Sequence, residues 1–266
     1  MKSLLECVHQ SIYRDDIFEA ARKTTTARKA TTKKTSMVVD ASSEKWMNKY
    51  AIISAGDYKI SSAGLNIRKA ITPFIQPDAP SLTDGKFKWG KMAGDFSVQS
   101  RYIVDLIDSP VSVKGCYTVS GCENLISLNG ACEAYSWNIT GCKKLKSLEG
   151  INVAMDGMLV VEKCDGIKSL SGLEGFQVKN VSLRECRNLS DVSALADMDE
   201  DYSLEIRNCP KVQLVSVGSK HLNVLSVFGV SKGPELNAVV KASPNLREIR
   251  ADYVTIYDTL RGGWVK

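Results

Sequence analysis

Apolar residues along most of this chain follow one recurring pattern. An apolar-x-apolar alternation is followed, three residues on, by a cysteine, and then by apolar residues at every third position. The segments YTVSGCENLISLNGA from Tyr117, WNITGCKKLKSLEGI from Trp137, LVVEKCDGIKSLSGL from Leu159, VSLRECRNLSDVSAL from Val181 and LEIRNCPKVQLVSVG from Leu204 share the frame, and their cysteines return every 20 to 23 residues. A fixed period of this length marks a solenoid, in which no unit can bury its apolar face without stacking on its neighbours. The alternation at Leu204, Glu205 and Ile206 predicts a short strand with one buried face. The apolar residues three and six places after the cysteine predict a tight return turn, with cysteine serving as a small hydrophobe.

Allowing other residues in the cysteine slot extends the array both ways. Upstream, FSVQSRYIVDLIDSP from Phe96 fits with Arg101 in the slot; downstream, LSVFGV from Leu225 fits with Val230, and IRADYVTIYDTL from Ile249 fits with Val254, Tyr257 and Leu260. Between these last two, Leu236, Val239 and Val240 after Pro234 have helical spacing. The predicted fold is an α/β solenoid, a stack of about eight short strand-turn units with a parallel sheet, an N-terminal cap and a C-terminal helix.

The pattern L-x-x-L-x-L-x-x-C-x-x-L-x-x-L, nearly complete in Leu222, Leu225, Val227 and Val230 and in Val181, Leu183, Cys186, Leu189 and Val192, resembles the leucine-rich repeat family over residues 96 to 260. It departs from the commoner form in placing Cys where Asn often stands, and in its Ser-Leu-x-Gly turns at Ser127, Ser147 and Ser169. Short units of this style are similar to repeat proteins of bacteria and large tailed bacteriophages. That likeness implies a bacterial or phage source; the start MKSLLECVHQ, with one lysine and no long apolar region, does not read as a secretory signal, so a cytoplasmic location in the bacterial host is expected.

The residues before the array divide into three. Residues 1–22 carry an amphipathic pattern with Leu5, Val8 and Ile12 on one face, read either as a partner-docking helix or as one packed on its own protein. The start MKSLLE, followed by Ile17, Phe18, Glu19 and Ala20, is also similar to the leaders of phage head proteins, which implies cleavage after Glu19 and packaging into the virion. Residues 23–45 are predicted to be a flexible basic linker; with Arg22 before it, the stretch 22–35 holds Arg22, Lys23, Arg28, Lys29, Lys33 and Lys34 and no acid. Residues 46–95, with Trp46, Tyr50, Ile52, Ile53 and Trp89, are predicted to cap the first unit, and residues 96–266 form the array and its closing end.

Charge narrows the function. Residues 1–40 carry eight basic and five acidic groups, net +3 of the total +5, so the array is nearly neutral. Nucleic-acid contact is therefore assigned to the arm, where cations meet phosphates without reading sequence. No apolar run reaches the roughly 18 residues that span a membrane, and no membrane partner is expected. The cysteines are expected to form a reduced column, with neighbour pairing the alternative. No metal or cofactor is expected, since CxxC and Cys/His spacings are missing.

His9 and His221 are the only histidines and neither lies in a nucleophile frame, so the chain is read as non-enzymatic. Binding by the outward strand positions remains. These include Ser97, Gln99, Thr118, Ser120, Asn138, Thr140, Val160 and Ser182 in the early units and charged residues in the later ones. The candidate protein-partner site is Glu162, Lys163, Arg184, Glu185, Glu205, Arg207 and Phe228. Against it stands an internal explanation, with Glu162 beside Arg184 and Lys163 beside Glu185 as self-satisfying pairs.

Overall fold

In the computed structural model the alternating segments are parallel strands stacked in register, because each strand buries only one face and needs a neighbour above and below. The structure describes residues 41–52, 58–61, 64–67, 73–230, 233–252, 256–258 and 263–265. The chain divides into two units, Met1–Val38 and Val39–Lys266, and the described residues all lie in the second.

The elements are α1 (Ala41–Tyr50), β1 (Ala51–Ile52), β2 (Tyr58–Ser61), β3 (Gly64–Ile67), β4 (Phe74–Ile75), β5 (Trp89–Met92), β6 (Phe96–Val98), β7 (Ser112–Ser120), β8 (Glu133–Thr140), β9 (Asn152–Glu162), β10 (Val178–Arg184), β11 (Tyr202–Arg207), β12 (Leu222–Phe228), α2 (Gly233–Ala242), β13 (Glu248–Ala251), β14 (Ile256–Asp258) and β15 (Gly263–Val265). The main sheet runs β1-β4-β6-β7-β8-β9-β10-β11-β12-β13, all parallel except β1 against β4. Phe96, Tyr117, Trp137, Leu159, Val181, Leu204, Leu225 and Ile249 stand in register on its inner face, all buried, and mark a parallel-strand solenoid of about eight turns.

The first rungs of that column are aromatic. Trp46, Phe87, Trp89, Phe96, Tyr117 and Trp137 contact one another in sequence with ring centroids 4.3 to 5.5 Å apart, edge-to-face until the stacked Tyr117–Trp137 pair. Trp89 is buried and donates its indole N–H to the carbonyl of Leu82 at 3.2 Å. From Leu159 onward the column is aliphatic.

The connections change along the array. In β7, β8 and β9 a register break separates a leading piece (Ser112–Val113, Glu133–Ala134, Asn152–Val153) from the main strand, which resumes at Cys116, Ser136 and Met158. Such a bulge bends a strand. The leading piece pairs back onto β5, and β5 onto β3, so strands wall a second side of the core there. Later connections are single 3-10 turns at Ser193–Leu195 and Leu214–Val217, and then α2. Gly218 makes room for that helix, since a Cβ there would lie 2.4 Å from Ala242 Cβ.

The six strands from β7 to β12 end in the same corner. The residue before the cysteine slot takes a left-handed conformation at Gly121, Gly141, Lys163, Glu185, Asn208 and Gly229, with φ of 52° to 70°. This turns the chain so that the thiol points inward, where Cys164 Sγ reaches the carbonyls of Glu162 at 3.2 Å and Ile139 at 3.6 Å, and Cys186 and Cys209 repeat the arrangement. The seven described cysteines are free, and Cys122, Cys142, Cys164, Cys186 and Cys209 are fully buried. Hydrogen bonding to Cys209 and burial push the Cys186 thiol up, and neighbouring thiols and burial do the same to Cys142. Both therefore stay protonated and unreactive at neutral pH.

Two local readings change. Ser100, not Arg101, fills the column in the first turn: it is buried and its N–H donates to Cys122 Sγ at 3.4 Å, whereas Arg101 reaches outward to Asp78 at 3.0 Å. The first turn is one residue shorter than the frame. The boundary drawn between residues 45 and 46 falls inside α1, because Ser43, Trp46 and Met47 are all buried and the Ser43 hydroxyl donates to the carbonyl of Lys86. Val254 and Leu260 lie outside the described residues.

Candidate functional site

Strand alternation sends three columns of side chains to the outer face. The middle column, Ser97, Thr118, Asn138, Val160, Ser182, Glu205, Ser226 and Arg250, is paired in register from β6 to β13. Facing outward does not open these positions for binding along the whole column, since Ser97, Thr118, Asn138, Val160 and Ser182 are buried. They are small or uncharged and sit with neighbours on every side. Exposure begins at Glu205 and Ser226, which are half-buried, and Arg250 is exposed.

The charged residues predicted as a partner site do come together, through β9 to β12. Glu162, Arg184, Arg207 and Phe228 occupy one register position on successive strands. Their ion pairing differs from the expected one. Arg184 does not pair with Glu162; its guanidinium donates from Nη2 and Nε to Glu205 Oε2 at 2.6 and 3.2 Å. Ser182 Oγ donates to the same oxygen at 2.9 Å, and Arg207 donates to Oε1 through Nε and Nη2, each at 3.3 Å. A planar fork reaches past its in-register neighbour to the carboxylate that best fits it.

Glu205 is thus the hub. Its side chain is 18% exposed. Burial pushes its carboxyl up, but hydrogen bonds from Arg184 and Ser182 together with the charges of Arg184 and Arg207 outweigh this and hold it below its ordinary value. Alternation alone places Ser182 opposite Glu205, a signal that sequence reading left unused.

Around the hub, Lys163 bridges Glu162 at 2.9 Å and Glu185 at 3.7 Å; the second of these is the pair expected from the sequence. The Glu162 carboxylate holds the Lys163 ammonium above its usual value. Both Lys163 and Glu185 sit in the left-handed slot, so their side chains leave the regular strand direction. Phe228 is half-buried rather than exposed, with the Arg207 guanidinium 4.8 Å from its ring centroid in a cation–π contact. Arg207 itself remains 48% exposed. The arrangement is a fixed, two-signed polar surface ending in a cation laid over an aromatic ring.

The predicted nucleic-acid contacts Arg22, Lys23, Arg28, Lys29, Lys33 and Lys34 lie outside the described residues. No helix among the described residues is long and apolar enough to cross a membrane. Comparison with known proteins finds no matching family model, no matching curated protein and no matching solved structure.

Proposed function

We propose that this chain is a non-enzymatic, leucine-rich-repeat-like solenoid that binds another protein through the outer face of its later turns. Glu162, Lys163, Arg184, Glu185, Glu205, Arg207 and Phe228 form the contact surface. The observation that carries the reading is the Arg184–Glu205–Arg207–Phe228 chain, in which consecutive strands hold Arg207 half-exposed over a half-buried aromatic ring. Arginine and aromatic side chains dominate interface energetics, and a side chain already held in place loses little further entropy on binding. The internal explanation accounts for Arg184, whose charge Glu205 satisfies, but leaves the outer side of Arg207 open to solvent.

The test is affinity capture from the native source with the intact chain, Arg207→Glu and Phe228→Ala, each checked by thermal melting. The reading requires a partner retained by the intact chain and lost from both variants while melting stays within a few degrees. Retention by both, or a matching loss of stability, returns these residues to a purely structural role.

A further inference from the structure

The near-neutral array is not uniform in cross-section. Four stacked segments that follow the cysteine slot, 143–146, 165–168, 187–190 and 210–213, carry Lys143, Lys144, Lys146, Lys168, Arg187 and Lys211 against the single acid Asp165. The four segments that lead into the strands at their opposite ends, 149–152, 172–179, 196–201 and 218–221, carry six acids against Lys179 and Lys220. Stacking turns two weak sequence biases into a basic edge and an acidic edge. All six cations of the basic edge are exposed, while Leu145, Ile167, Leu189 and Val212 between them are buried.

A second observation separates this edge from an ordinary solvated face. Asn188 donates to the carbonyl of Asp165 in the preceding turn at 2.9 Å and accepts from Lys211 Nζ of the following turn at 2.7 Å. Three turns earlier, Asn124 repeats the device: it donates to the carbonyl of Arg101 at 2.7 Å and accepts from Lys144 Nζ at 2.7 Å. A neutral amide positions each ammonium without cancelling its charge. Only Lys143 is paired with an acid across turns, to Glu123 at 3.1 Å.

We infer that this basic edge binds the phosphate backbone of a nucleic-acid duplex, independently of the protein-binding face. Turns spaced by about 4.8 Å set the cations out as a rigid row roughly 14 Å long over its three steps. A duplex presents one negative charge per about 1.7 Å of axis on a stiff rod, so roughly eight charges run alongside the row without the ordering cost that a flexible acidic peptide meets on binding. The segments contain no aromatic residue on which bases of a single strand could stack. They expose no large apolar side chain to enter a lipid surface. The acidic edge repels the same polyanion, so contact is confined to one side. Binding reads charge, not sequence.

The experiment is fluorescence anisotropy of a random-sequence DNA duplex with three full-length proteins across a salt series. They are the intact chain, Lys146→Glu/Lys168→Glu, and a chain with Arg22, Lys23, Arg28, Lys29, Lys33 and Lys34 changed to Gln. The edge variant is expected to lose affinity about tenfold or more and to lower the slope of log affinity against log salt by about 2, with its melting temperature kept. The arm variant should keep the slope contributed by the edge. Equal binding by the edge variant and the intact chain overturns the proposal, as does failure of the intact chain to bind at about 50 mM salt. Equal displacement by polyglutamate overturns its assignment to nucleic acid. Protein capture through Arg207 and Phe228 is read separately and stands or falls without this result.

Discussion

The turns through Trp137 and those from Leu159 onward are built on one frame but stabilised differently. In the early turns an aromatic column fills the core, strands wall two sides of it, and the middle of the outer face is buried and uncharged. In the later turns the core column is aliphatic; the strand wall ends with the leading piece of β9, 3-10 and α-helical segments return the chain after β10, and the middle of the outer face stays buried through Val160 and Ser182 before charge appears at Glu205. The difference teaches that a repeat specifies the backbone path while leaving inner volume and outer polarity to be set turn by turn. The aromatic rungs Phe96, Tyr117 and Trp137 coincide with the strand-walled section, which extends one turn further to the aliphatic Leu159.

The comparison breaks most strongly at Trp137. Trp137→Ala removes a fully buried ring stacked 4.3 Å from Tyr117 and should cost about 3–5 kcal/mol in denaturant melts. A loss under about 1 kcal/mol would mean that the aromatic column is not what holds the early turns.

The later turns should instead be sensitive at Glu205. Glu205→Gln keeps the shape but removes the charge that accepts from Arg184, Arg207 and Ser182, with an expected loss of about 1–3 kcal/mol at neutral pH. Because the folded-state value lies below the unfolded one, this contribution is present above the ordinary carboxylate range and disappears as pH falls through the folded value. Melting curves of the intact chain and the variant should therefore converge in acid; a gap that stays constant with pH would remove ionisation from the account.

The smallest effect is expected at Lys163, where a non-glycine residue stands in a left-handed corner that Gly121 and Gly141 occupy in the early turns. Glycine relieves about 1–2 kcal/mol of backbone strain but adds about 0.5–1 kcal/mol of unfolded-chain entropy and gives up two exposed ion pairs. Lys163→Gly should come out stabilising by about 0.5 kcal/mol or less, measured by chemical denaturation. A clear loss would show that the Glu162–Lys163–Glu185 chain contributes more than surface pairs usually do.

Much of this was legible in the residues. The period, the parallel stacking, the inner column from Phe96 to Ile249 and the inward cysteines follow from apolar spacing alone, because only one register buries them all. Other features were not. Alternation tells which face a side chain takes, not whether that face meets water, so burial of Ser97, Thr118, Asn138, Val160 and Ser182 was invisible. A frame cannot reveal a turn one residue short, which hid Ser100 behind Arg101. Nor does register decide where a long guanidinium ends, which is why Arg184 was assigned to Glu162 and lies on Glu205. The segregation of charge into two edges emerges only when segments more than twenty residues apart are stacked.

The change in return segments, from strand to 3-10 turn to helix, has an engineering consequence. A turn carries the footprint of both neighbours, as Gly218 does in yielding space to Ala242. The units are consequently not interchangeable bricks: a copied turn would fit beside its own kind and jar elsewhere. Lengthening this protein by duplication has a natural insertion point among the turns of Cys186 and Cys209, which both return through a 3-10 turn, and a natural stop where the helix begins.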